Sequence, residues 1–263
     1  MPDRMLPLHG IGVLVTRPRQ QAAALCRLLE AQGASVERFA AIEIEPIDER
    51  REWAARFGDL QQFGLIIFTS SNAVRYGAAL LGQRRDLPLA AIGPATARAL
   101  NQAGYRVSVQ SIEGADSESL LRHPKLNAVA GERVLLVKGR EGRELLEQEL
   151  ARRGALLALA EVYRRECPRP SAAELSALEA RFAAHEIHAV TATSVEIAAN
   201  LLALATPRLR RAFDAVPWVV PSARVAQSLR EGGVKAASLL ARSAEDQDLV
   251  SALIDWRAGE SGA

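Results

Sequence analysis

The sequence contains a strand–helix–strand unit that occurs twice, and this repeat limits the folds that the chain can adopt. In the second copy, Val134–Val137 is a short apolar run, typical of a strand buried on both faces of a parallel sheet. A turn with two glycines follows, a helix is predicted from Glu144 to Arg153, and Gly154 is a C′ residue that ends it. A second apolar strand covers residues 155–162. Such units predict an α/β protein with parallel strands.

The first copy lies near the N-terminus, and its residues match those of the second copy without a gap. Matching positions are 121 residues apart, as in Val13 and Val134, Leu25 and Leu146, and Gly33 and Gly154. Further units follow in both halves at offsets of 124 and 129, as in Ser70 and Ser194, or Gly93 and Ser222. Chance similarity between α/β units is the alternative explanation. The identical order and the growing offsets favour a duplication with small insertions in loops.

The alternation of strands and helices predicts two similar doubly wound domains, with helices on both faces of each parallel sheet. From the pattern alone, the two domains would be the two contiguous halves of the chain. Two segments stand outside the units: residues 40–46 alternate apolar and acidic side chains, and residues 160–168 alternate apolar and mostly basic ones. Their opposite charges favour pairing as a two-stranded hinge.

Composition indicates a soluble protein with a substantial core. The chain has 263 residues, of which 49 % are apolar and 24 % charged, and its net charge of +2 is too small to predict a nucleic-acid or membrane partner. Two cysteines give no disulfide framework, and no signal peptide or membrane-spanning run is visible. We therefore expect a monomer in a reducing cytoplasm.

The candidate binding residues follow the predicted strands, where doubly wound sheets bind their ligands. They are hydroxyls, small residues and cations, which suit an anionic ligand bound by neutral donors and arginines. Helix N-capping is the alternative explanation for any single serine, threonine or asparagine among them. The set comprises Arg17, Thr69, Ser70, Ser71, Asn72, Gly93, Thr96, Lys138, Arg140, Gly142, Arg143, Thr193, Ser194, Ser222 and Arg224.

Other chemistry is less favoured by the sequence. No nucleophile elbow, Walker loop or redox cysteine pair is visible, and the four histidines are scattered. Gly139 and Gly142 open a helix, and Glu161 ends the next strand, which partly matches a dinucleotide-binding pattern. The pattern is incomplete, and the equivalent turn at residues 16–18 has no glycine. Nucleotide binding, as in a nucleotide-dependent transferase, is therefore a lesser alternative.

Five segments together resemble the uroporphyrinogen-III synthase family. They are residues 13–18 (VLVTRP), 66–74 (IIFTSSNAV), 91–100 (AIGPATARAL), 138–163 and the pair Thr193-Ser194, and the similarity covers nearly the whole chain in order. The resemblance implies two flavodoxin-like domains, doubly wound parallel sheets joined by a two-stranded connector. Domain 1 would then hold residues 1–39 and 168–263, domain 2 would be inserted as residues 47–159, and the connectors would be residues 40–46 and 160–167.

The same resemblance implies a cyclising hydro-lyase of tetrapyrrole (heme, siroheme and cobalamin) biosynthesis that uses no cofactor. Its substrate would be hydroxymethylbilane, which carries eight carboxylates and could be handed over by hydroxymethylbilane synthase. Tyr163 matches the family's tyrosine and would hydrogen-bond the departing hydroxyl, although amphipathic packing is its ordinary role. Arg224 stands where some members have threonine, and Ser222 can take over that role from a neighbouring position. A non-enzymatic two-domain protein that closes on an anionic ligand is the main alternative.

Overall fold

The structure is a computed structural model that describes residues 6–47, 50–111, 114, 116–142 and 144–261. The strands are β1 (Gly12–Val15), β2 (Ser35–Arg38), β3 (Glu43–Pro46), β4 (Leu65–Phe68), β5 (Leu89–Ala91), β6 (Val107–Gln110), β7 (Arg133–Gly139), β8 (Leu156–Glu166), β9 (Ala189–Thr191), β10 (Trp218–Val220) and β11 (Ser238–Leu240).

Helices alternate with the strands through most of the chain. They are α1 (Arg19–Ala31), α2 (Arg50–Phe57), α3 (Ser71–Gly77), α4 (Pro94–Gln102), α5 (Ser117–Leu121), α6 (Pro124–Asn127), α7 (Leu145–Arg152), α8 (Ala172–Ala183), α9 (Val195–Leu204), α10 (Pro207–Phe213), α11 (Ala223–Glu231) and α12 (Asp246–Ser261), with short 3₁₀ turns at Leu60–Gln62 and Ala78–Leu81. Among the helices of the described residues, none is both long and apolar enough to cross a bilayer.

The chain forms two compact units. Unit 1 consists of Met1–Glu43 and Glu166–Ala263, and unit 2 is the continuous stretch Ile44–Arg165 between them. The contiguous halves that the repeat pattern alone favours are therefore wrong, because the first strand–helix–strand unit of the chain belongs with its C-terminal part.

Unit 1 is built on a parallel five-stranded sheet with the order β11-β10-β9-β1-β2. Val13 and Val15 of β1 point to one face of this sheet, where they join Leu25 and Leu29 of α1 and Leu249 of α12 in a single buried cluster. Leu25 and Leu29, one turn apart, therefore form part of the buried face of α1.

Unit 2 contains a six-stranded sheet with the order β3-β8-β7-β4-β5-β6. β8, β7, β4, β5 and β6 pair in parallel, and Leu65 and Val134 contribute to a core completed by Leu146 and Leu150 of α7. The edge strand β3 adjoins β8, where Glu45 and Arg164 form an ion pair with an N···O distance of 2.6 Å.

The two sheets place equivalent strands in the same order. The repeat relates β1 to β7, β9 to β4 and β10 to β5, and the two orders then coincide as β2-β1-β9-β10-β11 and β8-β7-β4-β5-β6. Each sheet takes its first strand–helix–strand unit from one repeat and its other strands from the other repeat. The two copies have therefore exchanged their first units.

Candidate functional site

A cavity of about 350 Å³ lies at the carboxyl ends of β4 and β7 in unit 2. The connections after these neighbouring strands leave in opposite directions, towards β5 and towards β8, so the cavity marks the switch point where doubly wound sheets bind ligands. Five predicted site residues line it. The lining comprises Thr69, Ser70, Ile92, Asp116, Ser117, Leu136, Lys138, Gly139, Glu141, Gly142, Leu146, Glu147, Tyr163 and Arg165.

Tyr163 stands on β8 with its ring almost completely buried, at 3 % exposure. Its Oη lies 3.2 Å from the Oγ of Ser70, and its ring centroid lies 6.0 Å from that of Tyr76. The Tyr76 hydroxyl in turn donates to the carbonyl oxygen of Ile44 at 3.1 Å. Contacts therefore fix both the ring and the hydroxyl of Tyr163. Simple amphipathic packing would instead leave the hydroxyl in open water.

Gly139, at the end of β7, provides the space that the Tyr163 ring occupies. A Cβ at this position would lie 2.6 Å from Cζ of Tyr163 and 3.0 Å from its Oη. The neighbouring Arg140 N–H donates to the carbonyl oxygen of Tyr163 at 2.8 Å, which fixes the two strands in register. The first glycine of the turn is thus explained by contact with a side chain.

Four of the charged residues that line the cavity have partners within unit 2. Lys138 is buried at 7 % exposure and its Nζ forms an ion pair with Glu147 on α7. Glu141 accepts a hydrogen bond from the backbone N–H of Arg165 at 3.0 Å, and Asp116 accepts one from that of Ser119 at 2.8 Å. The walls therefore combine neutral hydroxyls with an ion pair and with carboxylates that accept backbone hydrogen bonds.

We expect Lys138→Met to destabilise the protein by about 3 kcal/mol, because it leaves the Glu147 carboxylate without its cation in a mostly buried place. Urea unfolding, which does not screen charges, measures this loss. The matched control is Lys125→Met: this lysine pairs with Glu132 at 3.1 Å but is 40 % exposed, so its loss should stay below about 1 kcal/mol. Equal losses in the two variants would contradict the expectation.

Unit 1 carries the repeat-related set of predicted residues. The guanidinium of Arg17, the counterpart of Lys138, pairs with Asp246 of α12 and donates to the carbonyl oxygen of Ala244. Ser194 and Ser222 are the N-caps of α9 and α11. The remaining two members lie beside these caps: Thr193, half-buried, and Arg224, exposed.

The other predicted residues of unit 2 divide between helix starts and the β7 turn. Ser70 is the N-cap of α3, and its Oγ accepts from the Ala73 N–H at 3.0 Å. Capping thus accounts for Ser70, Ser194 and Ser222, and the Ser70 hydroxyl also contacts Tyr163. The rest are Ser71 and Asn72 in the first turn of α3, Gly93 at the N-cap of α4, Thr96 buried within α4, and Arg143, which lies outside the described residues.

The incomplete dinucleotide pattern has a different explanation in the structure. Glu161, the candidate ribose-binding acid, is paired with the Nε of Arg140 at 3.0 Å. Gly139 faces the Tyr163 ring, so its open side is already filled. Among the described residues, no group of three His, Cys, Asp or Glu side chains could hold a metal ion.

Several lining residues were missed by the sequence reasoning, chiefly Asp116, Ser117 and Glu147. The repeat could have identified Ser117 as a lining residue. It aligns with Asp246 at the repeat offset of 129, and Asp246 is the ion-pair partner of Arg17. The repeat gave no indication of Glu147, because its counterpart in the first copy is the buried Cys26.

The chain is similar to proteins of one family throughout most of its length. Residues 23–251 match the family model described as uroporphyrinogen-III synthase HemD. The chain is 31 % identical to the uroporphyrinogen-III synthase of Escherichia coli over 74 % of this chain and 80 % of that protein. It is 35 % identical to the Salmonella typhimurium enzyme of the same name, over 59 % of this chain and 65 % of that protein.

Solved structures show the same fold. The crystal structure of uroporphyrinogen-III synthetase from Helicobacter pylori superposes with a TM-score of 0.61 at 16 % identity, over 94 % of this chain and 99 % of that one. The predicted α/β fold with two parallel sheets is confirmed. The chain belongs to the uroporphyrinogen-III synthase family.

Proposed function

We propose that this protein cyclises linear hydroxymethylbilane to uroporphyrinogen III with release of water. Family membership supports the reaction. The observation that carries the site assignment is the Tyr163 hydroxyl, which is held against Ser70 in the wall of the unit 2 cavity. A phenol placed there can hydrogen-bond a departing oxygen without carrying a charge.

The reaction begins when the C–O bond of the terminal hydroxymethyl group breaks and the oxygen leaves with the electron pair, taking a proton to become water. Electrons of the attached pyrrole stabilise the resulting carbocation as an azafulvene-like species. The substituted carbon of ring D attacks this species to form a spiro intermediate. The original bond between that carbon and the bridge to the neighbouring pyrrole then breaks. Ring D rejoins in the inverted sense and a proton leaves. Because the substrate supplies its own electron push, positioning carries much of the catalysis.

The eight carboxylates of the substrate need donors that are already oriented. We assign this role to the backbone N–H groups and the hydroxyls after the strands of each unit, apart from the Ser70 hydroxyl, which lies against Tyr163, with Arg140 and Arg224 as exposed cations. Hydrogen bonds to ionised carboxylates are about twice as strong as neutral ones. Arg17 and Lys138 are assigned to hold their own strand ends, because each is mostly buried against a carboxylate, whereas the pair of Arg140 with Glu161 is exposed to solvent.

Incubation of the purified protein with hydroxymethylbilane, followed by separation of the isomers, tests the function. Uroporphyrinogen III is the expected product, against a buffer control that yields the spontaneous isomer I. Isomer I alone would overturn the proposal. In that case, protection of the bilane from spontaneous closure would instead indicate the non-enzymatic anion-binding protein.

We further propose a monomer in the cytoplasm that receives its substrate from hydroxymethylbilane synthase. Both cysteines, Cys26 and Cys167, are free thiols, as a reducing compartment requires. The large apolar side chains exposed among the described residues are four scattered leucines, which do not suggest an obligate interface.

A further inference from the structure

We propose that Ser70 is a positioning residue that donates its hydroxyl hydrogen to Oη of Tyr163, so that the Tyr163 proton is directed into the cavity. This inference rests on the proposed role of Tyr163 and assigns the direction of the hydrogen bond that supports it. The Oγ–Oη distance of 3.2 Å permits either hydroxyl to donate.

One observed contact and the proposed role of Tyr163 decide the direction. The Oγ of Ser70 already accepts from the Ala73 N–H at 3.0 Å, so one of its lone pairs is occupied and its own hydrogen is free to turn towards Tyr163. A phenol that donates to the substrate's hydroxyl has no second hydrogen for Ser70. The chain therefore runs from Ala73 N–H to Ser70, from Ser70 to Tyr163, and from Tyr163 to the leaving oxygen.

Such a chain is cooperative, because a hydroxyl oxygen that accepts a hydrogen bond becomes a better donor. It is also rigid. The Tyr163 ring is confined by Gly139 on one side and by Tyr76 at 6.0 Å between centroids, so Oη cannot follow a hydroxyl that moves away. Ser70 thus acts on the orientation of a proton whose oxygen is already fixed.

A double-mutant cycle between Ser70→Ala and Tyr163→Phe tests this inference, with steady-state formation of uroporphyrinogen III as the readout. We expect Ser70→Ala to lower kcat about tenfold with KM unchanged, the effect of one hydrogen bond in the transition state. In the Tyr163→Phe background the same change should lower kcat less than about twofold, since residues in one chain are not additive.

Two further variants of Ser70 and one control variant separate positioning from capping. Ser70→Thr keeps a hydroxyl and a helix cap, so it should restore kcat to within about threefold of the wild type. Ser70→Gly removes the hydroxyl yet costs the cap only a few tenths of a kcal/mol, so it gives the kinetic result even where Ser70→Ala folds poorly. Ser171→Ala removes the cap of α8 in unit 1, and its kcat should equal that of the wild type.

The outcomes are distinct. Equal loss of kcat from Ser70→Ala with and without Tyr163 would overturn the inference and leave the role of Tyr163 intact. A wild-type rate in Tyr163→Phe would instead overturn the assignment of Tyr163, and the inference with it. A wild-type kcat in Ser70→Gly would show that the Ser70 hydroxyl only caps the helix.

Discussion

Tyr163→Phe is expected to lower kcat about a hundredfold, because the variant keeps the ring and removes only the donor to the departing hydroxyl. The phenylalanine ring can still pack against Gly139 and Tyr76, so the fold and KM should change little. The rate of ring closure, followed as uroporphyrinogen III formed per second, is the measurement. A rate within about threefold of wild type corresponds to a change of less than about 1 kcal/mol in the activation free energy. It would show that Tyr163 has no catalytic role.

Tyr105→Phe is the matched control for that result. Tyr105 belongs to the same unit and is 7 % exposed, and its hydroxyl donates to the carbonyl oxygen of Gly82 at 2.6 Å. Removing this hydroxyl should cost about 1 kcal/mol of stability and leave kcat unchanged. A similar loss of rate in both variants would mean that the loss reflects destabilisation of unit 2 rather than chemistry.

Gly139→Ala is expected to reduce kcat about a hundredfold by a different route, since an added methyl group displaces the Tyr163 ring by about an ångström. The new Cβ would meet ring carbons at 2.6 and 2.7 Å, and a rigid ring confined by Tyr76 cannot yield by a rotation of its own bonds alone. The accompanying cost in stability should be about 1–3 kcal/mol, as for other overpacked sites, measured by urea unfolding.

Gly232→Ala controls for overpacking without displacement of the phenol. Its Cβ would lie 2.4 Å from Cδ1 of Leu202 in unit 1, at the flexible end of a side chain. Stability should fall by less than in Gly139→Ala, because the Leu202 side chain can move aside, while kcat stays at the wild-type value. If Gly139→Ala retained full activity, then the position of the Tyr163 hydroxyl would not limit the reaction.

The strands and helices around the site were predictable because their signals are local. Apolar runs mark the strands β4 and β7, and the C′ glycines Gly33 and Gly154 mark the ends of helices. Both glycines have the expected positive φ. Ser70 was predictable as a residue after a strand, and Lys138, the penultimate residue of β7, as a residue near the end of one. Their contacts with Tyr163 and Glu147 were not predictable, because 93 residues separate Ser70 from Tyr163 and a turn of unknown geometry separates Lys138 from Glu147.

The sequence by itself determined the duplication, the parallel α/β class and the polar turns that follow the strands. Only the tertiary structure decided which copy of the first unit joins which sheet. The physical reason lies in the duplication itself: β1 and β7 offer similar apolar strands and the same backbone donors and acceptors, so either could pair with β4 or with β9. The pairing also brings Tyr163 next to Ser70 and Gly139. The glycine that partly matched a nucleotide-binding pattern therefore provides space for the Tyr163 ring.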